Sequence, residues 1–419
     1  MNSPATPDAS DRRQFMANVV GNAFTIAGVC AAGKSIAFPG SPAFACEVAN
    51  GSQELDLAIT KAVDFLLRRR GDDGLWRSKV YGPFHDVTAL TPRILSVLSK
   101  ATDAGLPAQQ RQIVLQAVRA GRKWAAGMLQ MRDESISVRP LAYPVYFAAD
   151  VVSLLSNDAD AASRQAWQAY LRNLQLSPEL GWEAGDPRCG GWSYAKARPQ
   201  RPTVIEQLSP LSEPNISATV AALDALSHCD KSTTEGVRRR ALAFVCRLQN
   251  RDGGFRFVLD DFVRNKAGAS ERADGVAFHS YGSATCDGLR GLLHCGLGWN
   301  DARVVKARRW LERNFNADSH PGQYSDERKY SREAVYYYYC RSLSVGVERF
   351  PALVRDSAWL GGIASRLVAR QRDDGAWSNP VVDVREDDPL VATPLALEAL
   401  LVRQSMVAAA GDGVASTTN

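Results

Sequence analysis

Signatures of several reaction classes are absent from this chain of 419 residues. It contains no Gly-x-Ser-x-Gly elbow, which would present a serine nucleophile, and no His-Glu-x-x-His zinc sequence. Its eight cysteines never form a Cys-x-x-Cys pair, which excludes zinc-ribbon and thioredoxin-like sites. Apolar and polar residues rarely alternate at the period of a β-strand, so a sheet-based fold is not expected.

An excess of charge of one sign is also missing. The chain has 50 Lys and Arg residues against 45 Asp and Glu residues, a formal net charge of +5. No block of basic residues is interleaved with aromatic ones, as it would be in a groove that binds a nucleic-acid strand. We therefore expect no nucleic-acid partner.

The N-terminus carries the pattern of an export signal. Arg12 and Arg13 are followed by Phe15 and by a weakly apolar stretch, residues 17–32. Paired arginines before a moderately hydrophobic segment are typical of a twin-arginine signal. We expect residues 1–45 to be this signal and the protein to be exported to a periplasmic or other extracytoplasmic location.

A small-residue cleavage pattern follows the apolar stretch, at Ala43-Phe44-Ala45. Cys46, directly after it, leaves lipoprotein anchoring as a second, minor reading. Residues 46–54 are expected to be a linker. We find no later stretch of transmembrane length, so the mature part is predicted to be soluble, with a membrane surface as a candidate partner.

One phrase recurs along the chain: an amphipathic helix, an acidic-glycine turn and then an aromatic residue. Three copies end in Asp72-Asp73-Gly74-Leu75-Trp76, Asp252-Gly253-Gly254-Phe255 and Asp373-Asp374-Gly375-Ala376-Trp377. The glycine can adopt the left-handed conformation that ends a helix, and the aromatic side chain can anchor the turn to its neighbour. The phrase therefore predicts a repeated helical unit.

Two kinds of helix alternate around these turns. Helices with one apolar stripe are predicted at 55–70, 109–129, 161–174, 236–248, 301–313 and 360–370. Helices with few charges are predicted at 86–101, 146–155, 216–226, 282–293, 333–343 and 390–401. A helix that is apolar nearly all round is enclosed, whereas a one-striped helix lies at the surface. The pattern predicts an all-α fold: a single (α/α)6 toroid over residues 55–405, with 406–419 as a disordered tail.

The turns resemble the glutamine–tryptophan repeats of squalene–hopene and oxidosqualene cyclases, and the paired helices are similar to those of prenyltransferase β subunits. The chain is most similar to bacterial prenyltransferase/squalene-oxidase repeat proteins. Three stretches carry this likeness: residues 186–194, the four tyrosines 336–339, and residues 388–393. The resemblance covers about residues 55–405. It implies a terpenoid-cyclase-like toroid whose central cavity holds an isoprenoid-type molecule.

Cyclases of this kind protonate their substrate with an aspartate from an Asp-x-Asp-Asp motif. The stretch that matches the motif, Pro214-Asn215-Ile216-Ser217-Ala218-Thr219, contains no carboxylate. Glu386 and Asp388, just before the sixth charge-poor helix, are the candidate catalytic acids. Asp388 before Pro389 equally fits a helix N-cap.

Protein prenyltransferases instead hold zinc with Asp, Cys and His. The resemblance places His279, Tyr281 and Cys340 at those positions, an incomplete ligand set. His279 and Tyr281 are therefore candidate catalytic partners. His279 and Cys340 are weak candidate metal ligands, and no cofactor other than zinc is considered.

Other residues are candidates for contact with the substrate. His85 opens the first charge-poor helix, and Tyr336 and Tyr337 belong to the tyrosine run, whose side chains fan around a helix. The remaining candidates are Trp192, Tyr194 and Asn215. Aromatic faces can bind a polyene or stabilise a carbocation.

Three functions follow from these patterns. The first is an exported protein that binds an isoprenoid-type apolar substrate and cyclises, isomerises or transfers it. The second is a non-catalytic binding or scaffold protein on the same toroid. The third is a carbohydrate-active (α/α) barrel, which requires paired carboxylates in an open groove.

Overall fold

The computed structural model describes residues 42–132, 135–155, 160–273, 275–353 and 358–415. The chain divides into two compact units, residues 1–48 and 49–419, and the second contains nearly all of the described helices. The helices are α1 (Pro42–Arg68), α2 (Val87–Ala101), α3 (Ala108–Ala126), α4 (Pro144–Leu154), α5 (Ala161–Asn173), α6 (Ile216–Leu226), α7 (Lys231–Arg247), α8 (Gly282–His294), α9 (Ala302–Asn314), α10 (Ser331–Ala334), α11 (Tyr336–Arg349), α12 (Ala358–Arg370) and α13 (Pro389–Ala415).

The charge-poor helices form a closed inner ring. In order around the ring these helices are α2, α4, α6, α8, α11 and α13; each packs against the next, and α13 packs against α2. An outer helix returns the chain between each two of them, so all inner helices run in the same direction. The predicted mostly helical α/α toroid is confirmed.

Burial explains why the two kinds of helix separate. In α6 nine of the eleven side chains are buried, because neighbours cover it on every side. In α9 the buried residues are Val304, Ala307, Trp310 and Leu311, which lie on one stripe at helical spacing. The opposite face of α9 carries its basic and acidic residues to solvent.

The repeated turns join the two rings through paired hydrogen bonds. Trp76 donates its indole N–H to the carbonyl of Leu66 in α1 (2.7 Å) and its backbone N–H to Thr91 Oγ1 in α2 (2.9 Å). Trp192 and Trp377 make the same pair of bonds, to Leu171 and Thr219 and to Leu367 and Thr393. Each turn therefore fixes an inner helix to the outer helix before it.

Two short β-hairpins were not expected from the sequence. Leu129–Arg132 pairs antiparallel with Ser135–Val138, and Ala269–Arg272 pairs with Gly275–Phe278. Both occur in connections from an outer to an inner helix, where a longer loop has room to fold on itself. Strands of only four residues are too short for the alternation of apolar and polar residues to stand out in the sequence.

The first and last helices are longer than predicted. Helix α1 runs through residues 46–54, which we expected to be a linker, and α13 extends into the stretch 406–419, which we expected to be a tail. Good helix formers such as Ala49, Gln53, Glu54 and Ala408–Ala410 extend the two helices, which run through Gly51, Gly411 and Gly413 without ending there.

One segment is long and apolar enough to cross a membrane, contrary to our expectation that none follows the leader. This segment, Pro389–Ala409, belongs to α13 and is largely buried inside the protein. Its apolar character is that of an inner-ring helix.

Candidate functional site

The inner ring encloses a cavity of about 470 Å³. Its wall is mostly aliphatic and aromatic, with Leu90, Val220, Ala284, Val391 and Leu395 from four of the six inner helices. We call the end formed by the loops that precede the inner helices the mouth. The opposite end of the cavity is closed by charged side chains, which we call the floor.

Aromatic residues line the part of the cavity near the mouth. The rings of Tyr194 and Phe257 lie 6.5 Å apart, and the rings of Tyr146 and Tyr194 lie 5.7 Å apart. Ser217 Oγ bonds to the hydroxyls of Tyr146 (2.7 Å) and Tyr194 (3.3 Å). These hydroxyls therefore satisfy one another, which leaves the ring faces as the surface toward a ligand.

Asp287, in the second turn of α8, is a buried carboxyl group in the cavity wall. Tyr338 donates its hydroxyl to Oδ2 at 2.8 Å, and Ser342 and Arg290 donate to Oδ1. Burial raises the pKa of Asp287 to about 6, against the hydrogen bonds from Ser342 and Tyr338, which lower it. Asp287 can therefore carry a proton near neutral pH inside an apolar cavity.

Ion pairs close the floor. Arg93 bridges Asp150 (2.7 Å) and Glu398 (3.0 Å), and Arg341 and Lys100 also contact Glu398. Burial acts to raise the pKa of Glu398, but Arg341, Lys100 and Arg93 outweigh it and hold that pKa well below its usual range. Glu398 is thus a carboxylate that gathers three cations from two inner helices, α2 and α11.

Two more carboxylates of the cavity wall have basic partners. Arg290 contacts Asp224 as well as Asp287, and His294 Nε2 also lies against Asp224. Burial raises the pKa of Asp150 to about 6, while Arg93 acts to lower it. Asp150 and Asp224 are therefore held in ion pairs rather than left free toward a ligand.

Glu386, a predicted acid, lines the cavity and also caps the N-terminus of α11, which is distant from it in sequence. Its carboxylate accepts the backbone N–H groups of Tyr337 (3.0 Å) and Tyr338 (2.8 Å) and the side-chain amide of Asn379 (2.7 Å). Burial raises the pKa of Glu386 to about 8, although these three donors act to lower it. The first turn of α11 thus has its orphan N–H groups satisfied by a residue of another loop.

Asp388, the other predicted acid, lies outside the cavity lining. Its Oδ1 accepts the backbone N–H of Leu390 at 2.9 Å, which is the N-cap geometry that its position before Pro389 also suggested. Its side chain is almost fully buried.

The predicted partners His279 and Tyr281 are separated by the structure. Tyr281 lines the cavity and is buried. His279 lies behind the wall, where Nδ1 contacts the carbonyl of Ala267 (3.1 Å) and Nε2 contacts Ser270 Oγ. His279 therefore supports the loop that forms the mouth.

Of the predicted substrate contacts, Tyr194 lines the cavity. Trp192 is a fully buried anchor, Asn215 caps α6 by accepting the N–H of Ala218 (2.9 Å), and His85 is exposed. Tyr336 and Tyr337 donate their hydroxyls to the carbonyls of Ala317 and Ser378, away from the cavity. It is the third tyrosine of the run, Tyr338, whose side chain reaches the cavity.

No group of three His, Cys, Asp or Glu side chains in the described part of the chain could hold a metal ion. Both ring nitrogens of His279 have protein partners, and Cys340 is fully buried in the ring. The weak zinc candidates His279 and Cys340 do not form part of a ligand set.

Sequence reasoning missed Asp287, Asp150, Asp224, Arg93 and Arg341. Asp150 and Asp224 are the single charged residues of their helices, and the other three are among the few charged residues of theirs. That contrast is a usable signal, because an isolated charge on an enclosed helix must face a partner or a cavity.

No protein-family model matches the chain, and no curated protein matches its sequence. Solved structures of similar fold were found. A variant of the type II terpene cyclase MstE from Scytonema, with its product merosterolic acid A, matches with a TM-score of 0.52 and 12% identity, over 86% of this chain and 99% of that one. Another variant of MstE, with its substrate geranylgeranyl dihydroxybenzoate, matches with a TM-score of 0.51 and 11% identity, over 85% and 99%.

A variant of UGL with dGlcA-Glc-Rha-Glc is similar to the same degree, with a TM-score of 0.51 and 12% identity over 83% of this chain and 96% of that one. At such identities the likeness shows the fold. The terpenoid-cyclase-like toroid expected from the sequence is confirmed at that level. Because the neighbours hold both prenylated and saccharide-type ligands, the choice of ligand depends on the cavity of this chain.

Proposed function

We propose that this protein binds an isoprenoid-type molecule in its central cavity and converts it by proton-initiated cyclisation or isomerisation, with Asp287 as the acid. One observation carries the proposal: a buried carboxyl group with a raised pKa stands in the wall of a cavity that is mostly aliphatic and aromatic. The prenylated ligands of the MstE structures support the substrate class by analogy of fold.

The proton transfer is chemically simple. The O–H of protonated Asp287 adds to one carbon of a substrate double bond, a C–H bond forms, and the π electrons leave a carbocation on the other carbon. Asp287 becomes a carboxylate that Tyr338, Ser342 and Arg290 stabilise by hydrogen bonds. Loss of a proton from the cation, with or without ring closure, then gives an isomer of the substrate.

The aromatic residues near the mouth supply the other requirement of such a reaction. The faces of Tyr146, Tyr194 and Phe257 can stabilise positive charge without reacting with it, since carbon–carbon π systems attract cations through their quadrupole. An aliphatic wall keeps water, which would capture the cation, away from it.

The carbohydrate-active alternative receives less support from the same cavity. A glycosidase needs two carboxyl groups that are free to act on the sugar. Here Asp150 is paired with Arg93, and Asp224 with Arg290 and His294. The wall between the mouth and the floor is apolar, whereas a sugar needs hydrogen-bonding groups.

We also propose that the protein is exported through the pattern at Arg12 and Arg13.

Exposed apolar side chains occur in the loops of the mouth, and a membrane surface is the proposed partner for them. They are Val80, Leu211, Phe262, Val263, Tyr330 and Val382. Bonds from Tyr81 to Val382, from Arg328 to Val263 and from Arg264 to Pro210 connect these loops to one another. Sedimentation with phosphatidylcholine vesicles would test this part.

The experiment that tests the function is an incubation of the purified protein with squalene, geranylgeraniol and geranylgeranyl diphosphate, followed by mass spectrometry. A product of unchanged mass and altered retention time, missing with Asp287→Asn, supports the reaction. A ligand that co-purifies without conversion supports the non-catalytic binding protein. If neither a product nor a bound lipid is found, the proposal is wrong.

A further inference from the structure

Three basic side chains face the cavity at its mouth. Arg264 and Lys266 come from the loop between α7 and α8, and Arg385 comes from the loop before α13. All three are partly buried. They stand at the end of the cavity opposite the ion-paired floor.

None of the three is part of a salt bridge within the described ranges. Arg264 donates to the carbonyl of Pro210 (2.9 Å) and lies over the rings of Tyr194 and Phe257. Arg385 donates to the hydroxyl of Tyr143 (2.7 Å) and lies over Tyr81 and Phe84. These partners are neutral, so Arg264 and Arg385 have no ion-pair partner in the described ranges.

The carboxylates of the mouth are occupied by other donors. Asp261 accepts the backbone N–H groups of Val263 and Arg264, and Asp383 accepts the hydroxyl of Ser331. Asp387 accepts the hydroxyl of Tyr81 at 2.7 and 2.8 Å. Glu386 accepts its three N–H donors as described above. These carboxylates therefore bond to neutral donors and form no ion pair with Arg264, Lys266 or Arg385.

The loop that carries Arg264 and Lys266 is held rigidly. Asn265, between them, is fully buried; its Oδ1 accepts the N–H of Phe257 (3.1 Å), and its Nδ2 donates to the carbonyls of Gly268 (2.7 Å) and His279 (2.9 Å). Arg385 has a φ of +70°, the left-handed conformation that a residue other than glycine adopts at a cost. Both loops thus present their basic side chains in a fixed arrangement.

Uncompensated cations beside an apolar cavity are unfavourable unless an anion joins them. Burial lowers the pKa of Lys266, with Arg328 and Arg264 adding to the effect and Asp383 opposing it. The six inner helices also direct their N-termini, the positive ends of their dipoles, toward the mouth. The mouth therefore places three basic side chains that lack ion-pair partners among the described residues, together with the helix N-termini, directly above a mostly apolar cavity.

We propose that Arg264, Lys266 and Arg385 form a subsite for an anionic head group, a carboxylate or a phosphate ester, on the isoprenoid whose chain fills the cavity. The inference rests on the proposed function and narrows its substrate class, because a pure hydrocarbon such as squalene would leave the three charges unmatched. The head group lies at the mouth, and the chain extends toward Asp287 and the floor.

The test compares ligands with the same fifteen-carbon chain: farnesol, farnesoic acid and farnesyl monophosphate, by calorimetry or tryptophan fluorescence. We expect one or both anions to bind at least tenfold more tightly than farnesol, with an advantage that decreases as salt is added. Arg264→Gln, Lys266→Gln and Arg385→Gln should each reduce the advantage severalfold, and the triple variant should abolish it. Farnesol binding should change little.

Lys306→Gln is the matched control, since Lys306 is an exposed residue of the outer helix α9. Circular dichroism confirms that each variant is folded, and Lys266→Met provides a second variant should Gln at this position disturb the loop. If farnesol binds and the anions bind no more tightly, the head-group inference is wrong while the proposed function stands. If none of the three ligands binds, the head-group inference is wrong, and the incubation with squalene and the geranylgeranyl compounds decides the proposed function separately.

Discussion

Gln371, at the end of the last outer helix α12, donates its side-chain amide to the carbonyl oxygen of Ala58 in the first outer helix α1, at 2.9 Å. The same amide also reaches the carbonyl of Gly375 in its own turn (2.9 Å). Gln175 and Gln249 bridge to the next outer helix in the same manner, through the carbonyls of Val237 and Arg303. The contact that links neighbouring repeats is thus the contact that closes the ring.

Substitution of Gly375 measures how much the closure of the ring contributes to the free energy of unfolding. It has a φ of +87°, and a Cβ added there would lie 2.3 Å from the carbonyl oxygen of Lys61. Gly375→Ala should therefore lower the free energy of unfolding by about 3 kcal/mol, from the left-handed conformation and the displacement of α1 together. Urea denaturation measures it.

Gly105→Ala is its control. Gly105 has a φ of +66°, but its added Cβ meets no atom within 4 Å, so only the conformational cost of about 1 kcal/mol applies. Equal losses for the two variants would show that the junction of the first and last repeats contributes little.

Replacement of Asp287 by Asn tests the acid. The amide oxygen can still accept the hydroxyl of Tyr338, but the amide nitrogen then faces Arg290, so stability should fall by about 1–3 kcal/mol. The folded variant should still bind ligand, while turnover falls by at least a hundredfold. Product formation and ligand affinity are measured on the same preparations. Asp301→Asn, at the exposed N-cap of α9, is the control and should leave turnover unchanged. Turnover that survives in Asp287→Asn would remove Asp287 from the mechanism.

The pH dependence of turnover should follow the same group. A general acid must be protonated, and the pKa of Asp287 is about 6, so turnover should fall tenfold for each pH unit well above 6. A rate profile from pH 4.5 to 9 on a substrate with no ionisable group tests this. A flat profile across pH 6 would contradict it.

The pH dependence of stability tests the raised pKa of Asp287 independently of turnover. Burial raises its pKa from 3.8 to about 6, so the folded state binds this proton more tightly than the unfolded state does. The stabilisation by the protonated form is complete below pH 3.8 and is lost as the pH rises through 6. Asn does not ionise, so the difference in melting temperature between Asp287→Asn and the parent should shift in favour of the variant between pH 4.5 and pH 7.5. A constant difference would show that the pKa is not raised.

Glu386→Gln should loosen the start of α11. The carboxylate accepts three N–H donors, and an amide nitrogen in place of one oxygen would face a donor instead of an acceptor. We expect a loss of about 1–3 kcal/mol in the free energy of unfolding. Because Tyr338 also bonds to Asp287, turnover should fall more than ligand affinity does. Glu348→Gln, at the opposite end of α11, is the control.

Much of the fold followed from the sequence because two signals agreed. These were the acidic-glycine turn that recurs along the chain and the alternation of one-striped with charge-poor helices. The aromatic of each acidic-glycine turn and the threonine of the following inner helix, as in Trp377 and Thr393, recur with every clear repeat. The ends of α1 and α13 did not follow, since helix-forming residues continue past the point where packing ends. The two hairpins were too short to show a period.

The site was harder to predict, because most candidate residues were chosen at the starts of the inner helices. Glu386 was found in this way, since it lies just before an inner helix, whereas Tyr194 was chosen as an aromatic residue that follows the double glycine 190–191. Asp287 lies one turn deeper, and its importance comes from partners on α8 and α11 that are distant in sequence. His279 was chosen by resemblance to a zinc position, but it bonds to the loop behind the mouth.

A further motif of the sequence lies outside the described residues. Gly28-Val29-Cys30-Ala31-Ala32-Gly33-Lys34-Ser35 has the spacing of a phosphate-binding loop, which requires a strand before it and a helix after it. It overlaps the predicted export signal, and the two readings differ in whether these residues persist in the mature protein.

Because the inner helices all run in the same direction, the connections that precede them lie together at the mouth. The threonine-to-aromatic bonds involve the residue near the start of each connection, as at Trp192 and Phe255, whereas Tyr194, Phe257, Arg264 and Arg385 lie further along the connections, at the mouth. Sequence changes in those connections can therefore alter which molecule is accepted without weakening the ring. This separation makes the protein a suitable scaffold for grafting loops that select new guests.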